Sequence, residues 1–242
     1  MNKFQIKNLR NNLEKDLSKS NLRKLVSPII YSQYETTVPL TQKHIRGNLI
    51  DIGCGYSPYK NLLINYVLSY EGIDRHAYNE DVTFVGDFLE DFPSLENMYD
   101  CAISFEVLEH ISNTDLFLQQ VHKILKPHGK IIISVPHLSR LHEEPYDFFR
   151  FTKYGLEEIF SRNDFVILQI EKKGSIFSFL GHQFSTIFVS IFWLFPVIRY
   201  FALFINFVFI TLPCFWIDKI IDRNGLFAQG YVVVAKKNEK LF

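Results

Sequence analysis

The sequence predicts a doubly wound α/β domain on a mostly parallel, seven-stranded sheet, with an apolar helical insertion before the last strand. Three observations predict it. From Asn48 to Val135, short apolar runs rich in β-branched residues alternate with amphipathic stretches, the order of repeated strand–helix units whose strands are buried on both faces. The first run breaks into Gly53-Cys54-Gly55, a turn without Cβ atoms where backbone can lie close against a ligand at the sheet's carboxyl edge. A nearly uncharged stretch, Gln183 to Ile217, then separates the sixth strand from a final β-branched run, Tyr231 to Lys236. The boundaries that follow are 1–47 for a basic helical arm and cap, 48–173 with 225–242 for the α/β domain, and 174–224 for the insertion.

The chain has 242 residues, enough for a substantial core, and its 26 basic and 26 acidic residues cancel, so no global charge argues for nucleic acid. The amino-terminal arm is locally basic: Lys3, Lys7, Arg10, Lys15, Lys19, Arg23 and Lys24 face only Glu14 and Asp16. Its apolar positions Phe4, Leu9, Leu13, Leu17, Leu22 and Leu25 fall roughly on one helical face. Such an arm is either a solvated helix over the sheet or a contact for anionic lipid. Pro28 and Pro39 are expected to break residues 27–46 into short pieces, in which Tyr31 and Tyr34 either cap a ligand or simply pack. The cysteines Cys54, Cys101 and Cys214 are scattered and odd in number, which fits neither a disulfide framework nor a zinc site. No apolar segment follows Met1, so the expected compartment is the cytoplasm.

In order, Leu49, Ile50 and Ile52 form the first strand. Tyr59 to Val67 reads as the first helix, with Pro58 suited to its first turn, and the free amides at its start are expected to line the ligand edge. Strands follow at Tyr70 to Asp74, Val82 to Gly86 and Tyr99 to Phe105. The helix Asn113 to Lys126 turns Phe117, Val121, Ile124 and Leu125 inward, and Pro127-His128-Gly129 stops it. Lys130 to Val135 is the fifth strand, Thr152 caps a helix through Asn163, and Phe165 to Glu171 is the sixth strand.

Leu49-Ile50-Asp51-Ile52-Gly53-Cys54-Gly55 resembles the first motif of class I S-adenosylmethionine-dependent methyltransferases, a Rossmann-like family. The resemblance implies that Gly53, Cys54 and Gly55 line the methionine part of that cofactor and that Asp51 helps position it. Ser57 stands where the family often has a further glycine. A dinucleotide fingerprint is disfavoured, because Gly53-x-Gly55 lacks its third glycine. Asp74 ends the second strand, where an acid can accept hydrogen bonds from both ribose hydroxyls or simply be a solvated strand end. By resemblance, Asp87 receives the adenine amino group and Phe88 stacks near the ring.

The run Ser104-Phe105-Glu106-Val107-Leu108-Glu109-His110 resembles the fourth-strand motif of the small-molecule branch, which includes quinone and natural-product methyltransferases. It implies that Glu106 sits where cofactor and acceptor meet. His110, four residues on, is either a base for an acceptor hydroxyl or a structural hydrogen-bonding residue. The Asp/Asn-Pro-Pro-aromatic motif of nucleic-acid amino-methylating enzymes is absent, so no nucleic-acid partner is expected.

Pro136 to Thr152 carries His137, His142, Glu143, Glu144, Asp147 and Arg150, too much chemistry for a connector. His137 and His142 are alternative bases; Asp147 and Arg150 either hold an acceptor or pair with one another. The Pro145-x-Asp147-aromatic-aromatic-Arg150-aromatic-Thr152 segment is similar to one in methyltransferases of cell-surface sugar synthesis, which implies a lipid-linked or cell-surface saccharide acceptor. No metal is expected, since His142-Glu143-Glu144 has no second histidine at helical spacing.

Gln183 to Ile217 carries one charge, Arg199. A transmembrane hairpin needs about 40 residues, so the stretch reads as a re-entrant or interfacial hairpin, bent near Pro196 and Pro213, with Trp193 and Trp216 at headgroup level. A homodimer interface, or a hairpin folded over the sheet, are the alternatives. Together these readings predict an S-adenosyl-L-methionine-dependent O-methyltransferase, peripheral on the inner membrane face, acting on a saccharide or other small-molecule acceptor. A quinone-ring acceptor and a non-catalytic membrane-bound assembly partner are the rival readings.

Overall fold

A computed structural model describes residues 16–17, 20–92, 96–193, 195 and 197–238. By internal contacts the chain divides into two compact units, Thr37–Lys172 with Gly230–Phe242, and Met1–Thr36 with Lys173–Gln229. The reading from sequence separated arm from insertion; among the described residues the two share one unit. The division falls inside helix α1 (Pro28–His44). That helix corrects the expectation of short broken pieces. Pro28 occupies its first position, where no amide is needed, and Pro39 forfeits one hydrogen bond between positions held by buried Thr37, Leu40 and Thr41.

The first unit carries one seven-stranded sheet in the order β3-β2-β1-β4-β5-β7-β6. Its strands are β1 (Asn48–Ile52), β2 (Ser69–Asp74), β3 (Val82–Val85), β4 (Tyr99–Phe105), β5 (Leu125–Pro136), β6 (Phe165–Lys173) and β7 (Gly230–Lys237). β1 pairs in parallel with both β2 and β4, so the strand order reverses direction at β1, the point where open α/β sheets leave a crevice at their carboxyl ends. β5 pairs in parallel with β4 and antiparallel with β7. Leu49, Ile50 and Ile52, together with Ile103, Ile131, Ile132, Ile133, Val232, Val233 and Val234, are essentially sealed from solvent. This is why apolar residues dominate those runs instead of alternating with polar ones.

Helix α2 is only Lys60–Leu63, followed by a 3-10 turn at Ile64–Tyr66, shorter than the expected Tyr59 to Val67. α3 (Thr114–Ile124) is capped by the Asn113 side chain and buries Phe117, Val121 and Ile124 completely. It stops before Leu125 because that residue already pairs with Tyr99 in the sheet; residues 126–129 bulge out and pairing resumes at Cys101 and Lys130. α4 (Lys153–Arg162) starts at Thr152, whose hydroxyl accepts from the Gly155 amide as expected.

The second unit contains α5 (Ile176–Trp193), then α6 (Arg199–Asn206), a π-helical turn at Phe207–Thr211 and α7 (Leu212–Ile221). Pro213 was expected to bend this segment. Instead it sits in the first turn of α7, and the wider π turn just before it absorbs the missing amide; Pro196 lies outside the described residues. The helices also extend past the uncharged stretch. Ile176–Trp193 and Arg199–Ile221 are each long and apolar enough to cross a membrane by length and composition, which corrects the estimate that the hairpin falls short. Asp218 seats the start of α5 by accepting from the amides of Ser175, Phe177 and Ser178. Leu17 and Val26 pack with Val189, Trp193 and Leu203, while the Asn206 amide donates to the carbonyls of Leu25 and Val26. Thus one side of the helix pair is covered by the amino-terminal segment. Of the expected helix over residues 3–26, residues 3–15, 18 and 19 lie outside the described residues, and Asn21–Leu25 forms a 3-10 turn.

Candidate functional site

The carboxyl ends of β1, β2 and β4 bring most of the sequence-predicted residues together. Gly53 has φ +74°, and a Cβ there would lie 2.4 Å from Val107 Cγ2; the close approach sets Glu106 and Val107 beside the turn. Gly55 has φ +54° with nothing within 4 Å of where its Cβ would stand, an open cradle. Ser57 adopts φ +53°, the left-handed backbone a glycine takes without cost. The expected rim of free amides is not what these residues form. Gly53 and Cys54 donate to the Ile73 carbonyl, Gly55 donates to Asp74 Oδ2, and α2 is too short to present a helix start.

Asp51 is buried and accepts a hydrogen bond from Tyr70. Burial raises its pKa to about 7, against the Tyr70 hydrogen bond and with a further push from Asp74. Cys54 is also buried, and burial first and Asp51 second push its thiol up, so it is an inert lining group. Asp74 accepts from the Gly55 amide at 2.9 Å and from the His76 amide at 3.3 Å. Each carboxylate oxygen retains capacity for a second donor.

Asp87 holds the Arg75 guanidinium through Nε at 2.9 Å and Nη2 at 2.5 Å, and caps the Leu89 amide. Phe88 departs from expectation: it is buried and packs against Phe92 and Phe117, because the turn capped by Asp87 directs it into the core rather than the crevice. Glu106 has φ +57° and accepts from the Ser134 hydroxyl at 2.8 Å. A left-handed glutamate at the mouth of a strand costs about 1–2 kcal/mol, strain of the kind that concentrates at functional positions.

The loop after β5 closes over the end of β4. The amides of Phe148 and Phe149 both donate to the Glu109 carbonyl. Arg150 grips Asp147 through two hydrogen bonds of 2.6 Å, and Asp147 also accepts from the His142 amide. The pairing alternative for Asp147 and Arg150 is therefore the observed one, and Arg150 holds the Asp147 carboxyl well below the usual carboxylate range. Of the candidate bases, His110 and His142 meet edge to face with ring centroids 4.8 Å apart. His137 instead packs on Tyr231, centroids 5.9 Å apart, away from that pair. Tyr31 meets Phe207 and Phe215 edge-on, and Tyr34 is buried; both pack in the second unit.

Sequence reasoning missed Glu109, which is fully buried between His110 and His142, with Oε1 3.8 Å and 3.7 Å from their Nε2 atoms. It missed Tyr70 beneath Asp51 and Arg75 opposite Asp87 as well. Only the Glu-x-x-Glu-His spacing hinted at the first, since a second acid three residues after Glu106 shares its side of a turn.

This donor set fits the cofactor that the motif implies. An open glycine cradle flanked by the carboxylates of Asp51, Asp74 and Glu106 suits a ligand with a cationic centre and a vicinal diol. Comparison with known proteins agrees. A family model described as a methyltransferase domain matches residues 12–170, more than half of the chain. The mitochondrial ubiquinone biosynthesis O-methyltransferase of Dictyostelium discoideum is 27% identical over 110 residues, covering 36% of this chain and 34% of that protein, so the match spans about a third of the relative's length. The phosphoethanolamine N-methyltransferase 2 of Haemonchus contortus, solved with S-adenosyl-L-methionine, superposes with a TM-score of 0.56 at 18% identity, covering 88% of this chain and 54% of that one. The [4+2]-cyclase SpnF gives 0.56 at 16% identity over 86% and 80%. At such identities the two structures speak for the fold alone, and a cyclase among them shows that the fold by itself does not dictate methyl transfer.

Proposed function

The chain belongs to the methyltransferase-domain family, and from that premise we propose that it transfers a methyl group from S-adenosyl-L-methionine to a hydroxyl of a small acceptor at a membrane surface. The observation that carries the reading is the open side of Gly55, bordered by Asp74 and, through the Gly53–Val107 contact, by Glu106. When bound, the cofactor supplies a methyl group already activated on a sulfonium. The chain's own task is alignment and exclusion of water. In this reading Asp74 takes the ribose hydroxyls, Asp51 the methionine end, and Asp87, beside Arg75, the adenine side. In this reading the His110–His142 pair, its second member on the 137–151 loop, serves the acceptor hydroxyl that has to lose a proton. A sugar hydroxyl, being a poor nucleophile, needs such help more than a phenol does.

The membrane part of the proposal rests on the second unit. Leu180, Phe184, Ile187, Ile191, Phe201, Phe204 and Phe209 are exposed, while Leu17 and Val26 pack against Val189, Trp193 and Leu203 of the helix pair. A pair with one covered and one bare apolar side suits the plane of the interface rather than a crossing. Arg199 lies against Trp193 and Tyr200, and Lys219 against Trp216, cation and aromatic pairs of the kind that settle at headgroups.

For the acceptor, a lipid-linked or cell-surface saccharide follows from the Pro145 to Thr152 segment. A quinone-type ring phenol is the second reading, favoured by the match to the ubiquinone biosynthesis enzyme. Mass spectrometry of lipid extracts and surface polysaccharide, from cells with and without the gene, distinguishes them. Loss of a methyl group from sugar supports the first and from a quinone ring the second. No lost methyl in either fraction would leave a non-catalytic assembly partner.

A further inference from the structure

The helical hairpin of the second unit sorts its charges by sign. Between Ile176 and Ile221 the only acidic or basic side chains are Arg199, Asp218 and Lys219, with Asp222 just beyond. Both acids are buried and held by donors from within the unit. Asp218 accepts from the amides of Ser175, Phe177 and Ser178, and Asp222 from the Ser175 hydroxyl and the amides of Leu226 and Phe227. Both cations reach the surface, and among the described residues neither pairs with a carboxylate. The Arg199 guanidinium lies 5.1 Å from the Trp193 ring and 4.9 Å from the Tyr200 ring. Its Nη2 donates to the Tyr200 hydroxyl at 3.1 Å, and its Nε is buried with no acceptor among the described residues. Lys219 Nζ stands 4.4 Å from the Phe215 ring and 5.3 Å from the Trp216 ring. Aromatic faces hold a cation in place without cancelling its charge.

We propose that this hairpin binds the phosphodiester headgroups of anionic phospholipid, one held by Arg199 at its tip and another by Lys219 near its base. The proposal rests on the membrane reading above and names the lipid class that reading leaves open. Phe195, Val197 and Phe201 near Arg199, and Ile220 and Ile221 beside Lys219, are exposed. Sinking those side chains into acyl chains carries both cations to the level of the phosphates. An unpaired cation resists that transfer, and a phosphate oxygen removes the penalty. At Arg199 the Nη1 hydrogens and one on Nη2 remain for an incoming anion, a fork whose spacing matches two phosphate oxygens.

The same sorting of charge argues against a second copy of the chain as the occupant. A two-fold interface sets one patch against its own image. Here the image brings two more cations and no available acid, since Asp218 and Asp222 are buried. Lipid supplies what a copy lacks. Along α6, the π turn and α7, Arg199 and Lys219 stand about 30 Å apart at about 1.5 Å per residue. That is several times the screening length of about 8 Å at physiological salt, so the two cations engage separate headgroups and their effects multiply.

The test is co-sedimentation of the full-length protein with vesicles of phosphatidylcholine alone, and with vesicles in which about one lipid in three is phosphatidylglycerol. The wild type is expected to bind the anionic vesicles more tightly. A basic residue near an anionic surface contributes roughly fivefold, so Arg199→Gln and Lys219→Gln should each weaken that binding by about fivefold and the double variant by about twenty-five-fold. Binding to phosphatidylcholine alone should not change, and circular dichroism of the same samples reports folding. Lys219 is exposed, so its variant remains readable if loss of the Arg199 ring contacts disturbs the fold. Equal binding of the wild type to both vesicles overturns the headgroup sites and leaves the membrane reading standing. So does anionic binding unchanged in the double variant, or a fall of the same size on both vesicles. A wild type that sediments with neither vesicle overturns the membrane reading together with the proposal. A soluble dimer that Arg199→Gln dissociates overturns the proposal as well, and gives this surface to a second copy.

Discussion

The Nδ1 atom of His110 lies 2.8 Å from the carbonyl oxygen of Tyr146, and the Tyr146 ring lies 5.9 Å from the Arg75 guanidinium that pairs with Asp87. A single loop residue therefore touches both the fourth-strand side of the crevice and the β2–β3 side. The order of that loop comes from Arg150 gripping Asp147, and from two amides donating to Glu109.

Arg150→Met removes the grip and keeps the apolar stem. The loop should loosen: hydrogen exchange at the Phe148 and Phe149 amides is expected to speed up by at least about tenfold, since a partly buried bidentate pair contributes on the order of 2 kcal/mol. Exchange in β1 and β4 should not change. An unchanged rate at both loop amides would mean that packing alone orders this segment.

Asp51 makes stability depend on pH in a direction opposite to that of a salt-bridged acid. Its folded-state pKa, raised to about 7 by burial, exceeds the unfolded value of about 3.9. The folded state then holds a proton that the unfolded chain has lost. Its contribution is complete below about pH 4, falls as pH rises, and is gone above about pH 7. Asp51→Asn should flatten this loss by up to one proton in the linkage slope, measured as urea midpoints between pH 4 and 7.5. Identical slopes in the two proteins would place the Asp51 carboxyl in water.

Phe184 and Phe201 are 69% and 65% exposed, so replacing both with serine should leave folding intact. If they enter lipid, each forfeits roughly 1.5–3 kcal/mol, and binding to anionic vesicles in a flotation assay should weaken by about a hundredfold or more. Undiminished flotation would contradict the membrane face. A soluble wild-type dimer that the double variant converts to monomer would assign this surface to a second copy of the chain.

The sheet was legible because its strands are sealed on both faces: Leu49, Ile50, Ile52 and the run Ile131 to Val135 have no solvent side to display a polar residue. Helix caps at Asn113 and Thr152 were legible for a similar reason, since a side chain must bond a free amide there. Three features were hidden, each dependent on distant residues. The continuity of α1 through Pro39 rests on buried neighbours, not on propensity. Leu125 reads as helical until its pairing with Tyr99 is known. Glu109 looks like a solvated acid in a charged motif, and only the loop arriving more than thirty residues later seals it. Phe88 shows the converse: a motif assigned it to a ligand, whereas the turn capped by Asp87 sends its ring into the core.

The central claim is that S-adenosyl-L-methionine occupies the open side of Gly55. Calorimetric titration of the full-length protein with this cofactor, repeated on Gly55→Asn, tests it most directly, because asparagine tolerates φ +54° better than other side chains and would fill the cradle. The account predicts saturable one-to-one binding by the wild type and none, or at least about a hundredfold less, by the folded variant. Absence of binding by the wild type, or equal affinity in Gly55→Asn, would contradict it.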